Sequence, residues 1–245
     1  CEKQYPSNSK YQSSFELYPH TLSDFQKYAI QAIIEENHVL ITAHTGSGKT
    51  LPAEFAIQHL VGQGKKVIYT SPIKALSNQK YYEFTQKYPS ISFGLFTGDI
   101  KTNPEADVLI MTTEILMNYL FIQGTSKSND ELPIKTLDFQ IDIHRDLGCV
   151  IFDEVHYIND TDRGHVWEKT ILMLPKHIQM VMLSATIDNP VGFAKWCERN
   201  DSVETSNNKE VYLATTSHRV VPLTHYGFLT TTESIFKKVK DKVVQ

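Results

Sequence analysis

Cysteine is scarce in this sequence, and long apolar runs are missing from it. The 245 residues include three cysteines, Cys1, Cys149 and Cys197, which lie too far apart in the chain to suggest a disulfide framework. We therefore expect an intracellular protein in a reducing compartment, although the cysteine content does not distinguish nuclear, cytoplasmic and virus-encoded proteins. No apolar run approaches the roughly 18 residues of a membrane-spanning helix, and the first ten residues lack the apolar centre of a signal peptide.

An excess of positive charge is also missing. The chain has 24 Lys and Arg residues against 28 Asp and Glu residues, which gives a formal net charge of -4. Bulk charge therefore does not indicate nucleic-acid binding, and a bound polynucleotide would need local donors. Clusters of Cys and His with metal-ligand spacing are lacking as well. The 41% of hydrophobic residues is enough for a globular core.

Short apolar runs alternate with helical segments through most of residues 20–228. Helical spacing begins at Ser23 and returns near 49–61, 75–88 and 113–121. We interpret six apolar runs as strands: 39–41, 67–69, 91–96, 108–111, 149–152 and 179–183. The alternation predicts βαβ units, and therefore an α/β fold whose mostly parallel sheet carries helices on both faces.

Two polar segments depart from this pattern. Residues 1–19 show little periodicity and are interpreted as an irregular N-terminal arm. Residues 122–146 carry Gly124, Pro133 and four Asp residues, and they are predicted to form a surface insertion.

The segment 43–50, AHTGSGKT, has the pattern of a phosphate-binding loop. It follows an apolar run and precedes a helical one, as a P-loop does, although the usual pattern begins with Gly where this one has Ala. Gly46 and Gly48 allow backbone conformations that turn successive N–H groups toward phosphate oxygens. Lys49 would reach the β- and γ-phosphates, and Thr50 would offer a hydroxyl to Mg²⁺. The alternative is a chance Gly/Ser turn before a helix.

Two carboxylates, Asp153 and Glu154, follow the apolar run at 149–152. The carboxyl end of a strand is where open α/β sheets bind ligands. We assign Asp153 to the metal and Glu154 to the role of general base that polarises the attacking water. The alternative is a helix cap, which an Asp-Glu pair at a strand end can also form.

Together these motifs resemble those of superfamily 2 helicases. The acidic pair and the two residues after it are Asp-Glu-Val-His, which matches the DExH type of this superfamily. Five further blocks resemble motifs of this superfamily in the same order: FQ at 25–26, SPIKALSNQ at 71–79, TGD at 97–99, TTE at 112–114 and SAT at 184–186. The segment DEVHYIND at 153–160, with RG at 163–164 and VWE at 166–168, resembles the corresponding sequence of the Ski-type RNA helicases that feed RNA to the exosome.

This resemblance implies a RecA-like motor domain that uses ATP and Mg²⁺ to translocate on RNA from 3′ to 5′ and to unwind it. The implied partners are single-stranded or overhang RNA and an exosome-type RNA-degrading complex, with no membrane and a monomeric domain. A DNA helicase of the same superfamily is one alternative. A nucleic-acid-binding module that holds ATP without unwinding is the other.

The resemblance also assigns roles to residues. Those expected to bind the nucleotide are Phe25, Gln26, Thr45, Gly46, Ser47, Gly48, Lys49 and Thr50, with Gln26 on the adenine edge and Phe25 or a nearby aromatic beside it. Catalysis would fall to Lys49, Thr50, Asp153 and Glu154, with Mg²⁺ held by Thr50 and Asp153. Coupling between nucleotide and strand is expected of His156, Ser184 and Thr186. The residues expected to contact nucleic acid are Pro72, Lys74, Thr97, Gly98 and Thr113.

Some features depart from the family pattern or allow two interpretations. The sequence stops before the motifs of a second motor domain, so we expect a first motor domain over 20–228, a linker beginning at 229–245 and weak activity in isolation. Arg163 and Trp167 could form a family-specific surface beside the acidic pair. We favour ordinary packing, with Trp167 in the core and Arg163 paired to a carboxylate.

Overall fold

The computed structural model of the chain describes residues 4–125, 141–198, 209–216, 224, 226, 229–231 and 234–237. Eight strands form its central sheet: β1 (His38–Ala43), β2 (Lys66–Ser71), β3 (Phe93–Phe96), β4 (Lys101–Thr102), β5 (Val108–Thr112), β6 (Leu147–Phe152), β7 (Gln179–Ser184) and β8 (Val211–Thr216). They lie in the order β4-β3-β5-β2-β6-β7-β1-β8. Every pairing in this sheet is parallel except that of β3 with β4.

Helices connect these strands. They are α1 (Gln12–Phe15), α2 (Asp24–Ile34), α3 (Leu51–Gly62), α4 (Lys74–Lys87), α5 (Thr113–Thr125), α6 (Gly164–Met173) and α7 (Pro190–Glu198), with a 3₁₀-helix at Val155–Asn159. A separate antiparallel pair consists of β9 (Leu229–Thr231) and β10 (Ser234–Lys237). Within the described residues, no helix is long and apolar enough to cross a membrane.

The sheet is buried on both faces because successive side chains of each strand enter different cores. In β1, Val39 and Ile41 pack with residues of α2, α3 and α4, whereas Leu40 packs with residues of α5, α6 and α7. The same alternation runs through β2, β5, β6 and β7. The predicted α/β fold, with a mostly parallel sheet between two helical layers, is therefore confirmed.

Helix α2 begins where the sequence predicts it. Ser23 and Gln26 form a capping box, in which the Ser23 backbone N–H donates to Gln26 Oε1 over 2.9 Å. Ala29, Ile30 and Ile33 follow at helical spacing and are fully buried against the sheet. This cap also fixes the position of Gln26 beside the segment 43–50.

The N-terminal arm packs against α2 instead of lying free of the core. Three of its aromatic side chains, Tyr5, Tyr11 and Phe15, are buried. The Tyr5 ring contacts those of Phe15 and Tyr28 edge-on, at centroid distances of 5.3 and 4.8 Å. The Tyr11 hydroxyl donates to the carboxylate of Glu35, the residue that caps the end of α2. The interpretation of residues 1–19 as irregular therefore missed both α1 and this packing.

The predicted surface insertion at 122–146 is wrong at its ends. Residues 122–125 continue α5. Ile141 and Ile143 are buried in the core, and the Tyr119 hydroxyl donates to the Ile141 carbonyl over 2.7 Å. Residues 126–140 lie outside the described residues, as do the parts of the predicted linker 229–245 beyond β9 and β10.

Candidate functional site

The segments singled out by sequence lie at one edge of the sheet. Parallel strands place their carboxyl ends together, and the segment 43–50 follows β1, the acidic pair follows β6 and the SAT block follows β7. Strand β7 lies between β6 and β1. We call residues 43–50 with Asp153 and Glu154 the nucleotide site. Residues 72–74, 97–100 and 113–114, which follow β2, β3 and β5, we call the strand-end loops.

The segment 43–50 has the backbone of a tight loop. Gly46 and Gly48 have φ angles of +82° and +81°, a region that favours glycine. A Cβ added at Gly48 would lie 2.6 Å from Gln26 Nε2, so a side chain at position 48 would displace the Gln26 amide. Thr45 and both glycines are exposed, whereas the buried hydroxyl of Ser47 has no hydrogen-bond partner in the described structure. The loop thus presents polar groups that a ligand could satisfy.

Helix α3 begins directly after this loop. Thr50 is its N-cap residue and makes no side-chain capping bond, and Pro52 follows within the first turn. The unpaired N–H groups of a helix N-terminus and its positive dipole end favour an anion there. The loop and the helix therefore form a site of the kind that binds phosphate.

Lys49 joins the loop to the acidic pair. Its Nζ donates to both carboxylate oxygens of Glu154, over 2.9 and 3.1 Å, although the two residues are 105 positions apart. Lys49 is 8% exposed, so its ammonium group is largely removed from water. A buried ammonium requires a negative partner. In this structure Glu154 is that partner, and a phosphate could take its place.

Asp153 is held by a tyrosine from the neighbouring strand. The hydroxyl of Tyr69 on β2 donates to Asp153 Oδ2 over 2.7 Å, and the Glu154 N–H donates to Oδ1 over 3.0 Å. Burial raises the pKa of the Asp153 carboxyl above its usual value, while the bond from Tyr69 opposes this shift. Burial, followed by the nearby Asp153 charge, raises the pKa of Tyr69 itself. Tyr69 therefore stays protonated and remains a donor.

Glu154 and His156 face each other at the start of the 3₁₀-helix. Glu154 has a left-handed backbone, with φ of +50°, which is uncommon for a residue with a Cβ. His156 Nδ1 lies 3.3 Å from Glu154 Oε2, but the groups are not aligned for a hydrogen bond. The predicted sensing role of His156 stays a prediction, and its ring lies beside the general-base candidate.

The structure separates the two members of the FQ block. Gln26 Nε2 donates to the Gly48 carbonyl over 3.0 Å, so this side chain contacts the phosphate-loop candidate directly. Phe25 is 3% exposed and belongs to the core between α2 and the sheet. The prediction that Phe25 or a nearby aromatic lies beside the base stays a prediction, although in this structure the Phe25 ring is used for packing.

The SAT block lies next to the segment 43–50. Ser184 at the end of β7 is in register with Thr42 of β1, and its hydroxyl donates to the Thr186 carbonyl over 3.1 Å. Ser184 is fully buried, whereas Thr186 is exposed. Their predicted coupling role stays a prediction, although the register places them one strand away from the phosphate-loop candidate.

Residues predicted to contact nucleic acid have different environments in the strand-end loops. Lys74 is exposed and its Nζ lies 2.5 Å from Asp99 Oδ2, and the neighbouring Gly98 is also exposed. Thr97 is 2% exposed, and its hydroxyl accepts a bond from the Ile100 N–H over 3.2 Å. Thr113 is fully buried and points its hydroxyl at the Ser71 carbonyl, 3.5 Å away. The hydroxyls of Thr97 and Thr113 thus contact backbone groups within the fold, and their predicted role in binding nucleic acid stays a prediction.

Arg163 contacts two of the strand-end loops. Pro72 is buried, and its carbonyl accepts a 2.7 Å bond from Arg163 Nη2, which also pairs with the Glu114 carboxylate. Trp167 is fully buried, so the packing interpretation of Arg163 and Trp167 is confirmed. Tyr69, which donates to Asp153, is a site residue that the sequence analysis did not predict. Its one signal in the sequence is a hydroxyl on an aromatic residue at the end of the apolar run 67–69.

Comparison with known proteins agrees with this geometry. A family model described as DEAD/DEAH box helicase matches residues 23–192. The antiviral helicase SKI2 of Saccharomyces cerevisiae is 44% identical over 206 residues, which cover 84% of this chain and 14% of that protein. The ATP-dependent RNA helicase mtr4 of Schizosaccharomyces pombe is 40% identical over 225 residues, which cover 92% of this chain and 18% of that protein.

A solved structure is similar in fold. The DUF1998 helicase MrfA bound to DNA superposes with a TM-score of 0.61 at 16% identity, and the match covers 87% of this chain and 30% of that one. The chain spans 14% to 20% of the length of the curated relatives that it matches. It belongs to the DEAD/DEAH box helicase family, and its resemblance to the Ski-type RNA helicases is confirmed.

Proposed function

We propose that this chain is the ATP-binding motor domain of an ATP-dependent RNA helicase that moves on RNA from 3′ to 5′ and unwinds duplexes. The observation that carries the proposal is the contact between Lys49 and Glu154. It brings a lysine that could hold phosphate to 2.9 Å from a carboxylate that could act as a general base. Family membership and the identity to named RNA helicases support the same activity.

The residues present fit a triphosphate with Mg²⁺. Thr50 and Asp153 are the side chains that would hold the metal, since hydroxyl and carboxylate oxygens are ligands that Mg²⁺ prefers. The buried carboxylate of Asp153 is already oriented by Tyr69, and the unpartnered Ser47 hydroxyl lies in the loop. When bound, the metal would neutralise part of the phosphate charge.

The protein groups then have separate tasks in hydrolysis. Gly46, Ser47 and Gly48 would surround the phosphates with backbone N–H groups, and Gln26 would reach the base from its place beside Gly48. Lys49 would leave Glu154 and pair with the phosphates. Glu154, freed of that pair, would accept a proton from the attacking water. When Lys49 exchanges Glu154 for a phosphate, the Glu154 carboxylate thus becomes available as the general base.

RNA is the proposed polymer, and an exosome-type RNA-degrading complex is the proposed partner. The support for RNA is the identity of 40–44% to proteins named as SKI2 and as ATP-dependent RNA helicase mtr4. A DNA helicase is the second candidate. The DNA-bound MrfA structure supports only the fold at 16% identity. Unwinding assays on matched RNA and DNA duplexes with 3′ overhangs would separate the two, and preference for DNA would contradict the proposal.

A structure with a non-hydrolysable ATP analogue and Mg²⁺ tests the nucleotide site itself. We expect the triphosphate between residues 43–50 and the acidic pair, with Lys49 displaced from Glu154. A nucleotide bound elsewhere, with the Lys49–Glu154 pair intact, would contradict the proposal. We also expect the isolated chain to hydrolyse ATP slowly, because the family's second motor domain would complete the site. A high turnover rate of the isolated chain with saturating RNA would contradict that expectation.

A further inference from the structure

Arg163 is held in place by a tight turn after the acidic pair. Asp160 Oδ1 accepts the backbone N–H groups of Asp162 and Arg163, over 3.0 and 2.8 Å. Gly164 follows, and a Cβ there would lie 2.2 Å from the Ile158 carbonyl oxygen. Only glycine fits this closely packed position. The chain direction at Arg163 is therefore fixed by its neighbours on both sides.

The Arg163 guanidinium bridges two of the strand-end loops. Nη2 donates to the Pro72 carbonyl over 2.7 Å and pairs with the Glu114 carboxylate at the start of α5. The guanidinium also lies over the Trp167 ring, 5.9 Å from its centroid, one helical turn further along the chain. Lys74 and Thr113 are close neighbours in sequence of the two acceptors. Arg163 thus joins the loop after β2 to the loop after β5.

The same side chain is in contact with the nucleotide site through packed aromatic rings. His156 lies beside Glu154, and its ring centroid is 5.4 Å from that of Tyr157. The Tyr157 ring stacks on Trp167 at 5.7 Å. Trp167, fully buried, supports the Arg163 guanidinium. A continuous set of contacts therefore runs from the general-base candidate to both strand-end loops.

We propose that Arg163 is a positioning residue that couples RNA binding at the strand-end loops to ATP hydrolysis at the nucleotide site. This inference depends on the proposed function. A planar guanidinium can donate to two acceptors in fixed directions, which a lysine ammonium on a flexible stem cannot reproduce. Because Arg163 lies outside the nucleotide site, it acts through the loops that it fixes and not on the phosphates.

The test compares basal and RNA-stimulated ATPase rates of the full-length protein for Arg163→Ala and Arg163→Lys. Arg145 offers a matched control, because its exposed guanidinium pairs only with the adjacent Asp146 among the contacts described. We expect Arg163→Ala to keep the basal rate and the KM for ATP within about twofold. We expect stimulation by RNA to fall about tenfold, with partial rescue in Arg163→Lys and no change in Arg145→Ala.

Each outcome has a defined meaning. Equal loss of basal and stimulated rates would make Arg163 a structural residue and overturn the inference, as would unchanged stimulation. If Arg163→Ala fails to fold, Glu114→Gln replaces it, since this variant removes the charged partner and keeps the shape. A selective loss of stimulation in Glu114→Gln would support the coupling, and its absence would overturn it. A wild-type protein that RNA does not stimulate would instead contradict the proposed function.

Discussion

The nucleotide site and the strand-end loops lie on the same sheet edge but are built in different ways. In the nucleotide site, the charged groups are buried or half-buried and each has a hydrogen-bond partner, as Lys49 has Glu154 and Asp153 has the neutral hydroxyl of Tyr69. In the strand-end loops, buried Thr97 and Thr113 use their hydroxyls within the fold, and the charged pair of Lys74 with Asp99 is exposed.

This difference follows from what each region would bind. A triphosphate is compact and highly charged, so side chains that are already oriented and removed from water interact with it strongly. An RNA backbone is long and presents the same group at every nucleotide, so exposed cations and loop backbone suffice. Substitutions in the nucleotide site should therefore have large effects on turnover. Those in the strand-end loops should have small effects on affinity.

Lys49→Ala should have the largest effect of any substitution considered for the nucleotide site. It removes the ammonium that would hold the phosphates, and it leaves Glu154 without its charged partner. We expect ATPase activity of the full-length protein to fall about 1,000-fold, because a preorganised charge in a buried site acts strongly on the transition state. Steady-state ATPase assays would measure the loss of activity. Activity near that of the wild type would contradict the expectation that substitutions in the nucleotide site have larger effects than those in the strand-end loops.

Glu154→Gln should separate binding from hydrolysis within the nucleotide site. The amide keeps the shape of the side chain but cannot accept a proton from water, so we expect turnover to fall about 100-fold. Nucleotide affinity should stay the same or increase, because the competing carboxylate of the Lys49 pair is lost. Binding of a fluorescent ATP analogue, measured beside turnover, checks both parts. Parallel loss of affinity and turnover would argue against the base assignment.

The sequence predicts the sheet interior well because burial on both faces leaves uninterrupted apolar runs. The segments at 39–41 and 149–152 fall within β1 and β6, and their buried side chains explain the pattern. Strand β8 was missed although its first four residues, Val211 to Ala214, form an apolar run, and it lies last in the strand order, where only Ala214 of its six residues is buried. Strand β4 has two residues, both exposed, and leaves no pattern at all.

Contacts between distant parts of the chain set the limit of sequence reasoning in both regions. The bond from Tyr69 to Asp153 spans 84 positions, and only its hydroxyl at the end of an apolar run distinguishes Tyr69 from an apolar core residue. Tyr5, Tyr11 and Phe15 lack periodicity, so their packing against α2 could not be anticipated. The meeting of residues 43–50 with the acidic pair was predicted because each motif needs the other, whereas the direct Lys49–Glu154 pair was not.

Tyr69→Phe tests whether a residue next to the nucleotide site orients Asp153 for metal binding. It deletes only the hydroxyl that donates to Asp153 and keeps the buried ring in the core. Groups that orient a metal ligand typically contribute about 10-fold to 100-fold in metal affinity. We therefore expect the Mg²⁺ concentration for half-maximal ATPase activity to rise about tenfold.

The control for this prediction is Tyr88→Phe. The Tyr88 hydroxyl also donates to a carboxylate, that of Glu54, over 2.7 Å, but outside the nucleotide site. This variant should leave the Mg²⁺ requirement unchanged. An equal shift in both variants would mean that loss of stability, and not the orientation of Asp153, raises the Mg²⁺ requirement.

Lys74→Ala should have the smallest effect and is the sharpest test of the strand-end loops. The Lys74–Asp99 pair is exposed on both sides, so its loss should change the free energy of unfolding by less than about 0.5 kcal/mol. If Lys74 contacts a phosphate, RNA affinity should fall a few-fold, equally for all sequences. The slope of log affinity against log salt should decrease by about 0.7, the contribution of one phosphate contact on a single strand.

Lys80→Ala, which removes a lysine of the same helix that pairs with Glu83, is the control. An unchanged salt slope in Lys74→Ala would place RNA elsewhere on the domain, and the two regions would then no longer share one functional edge.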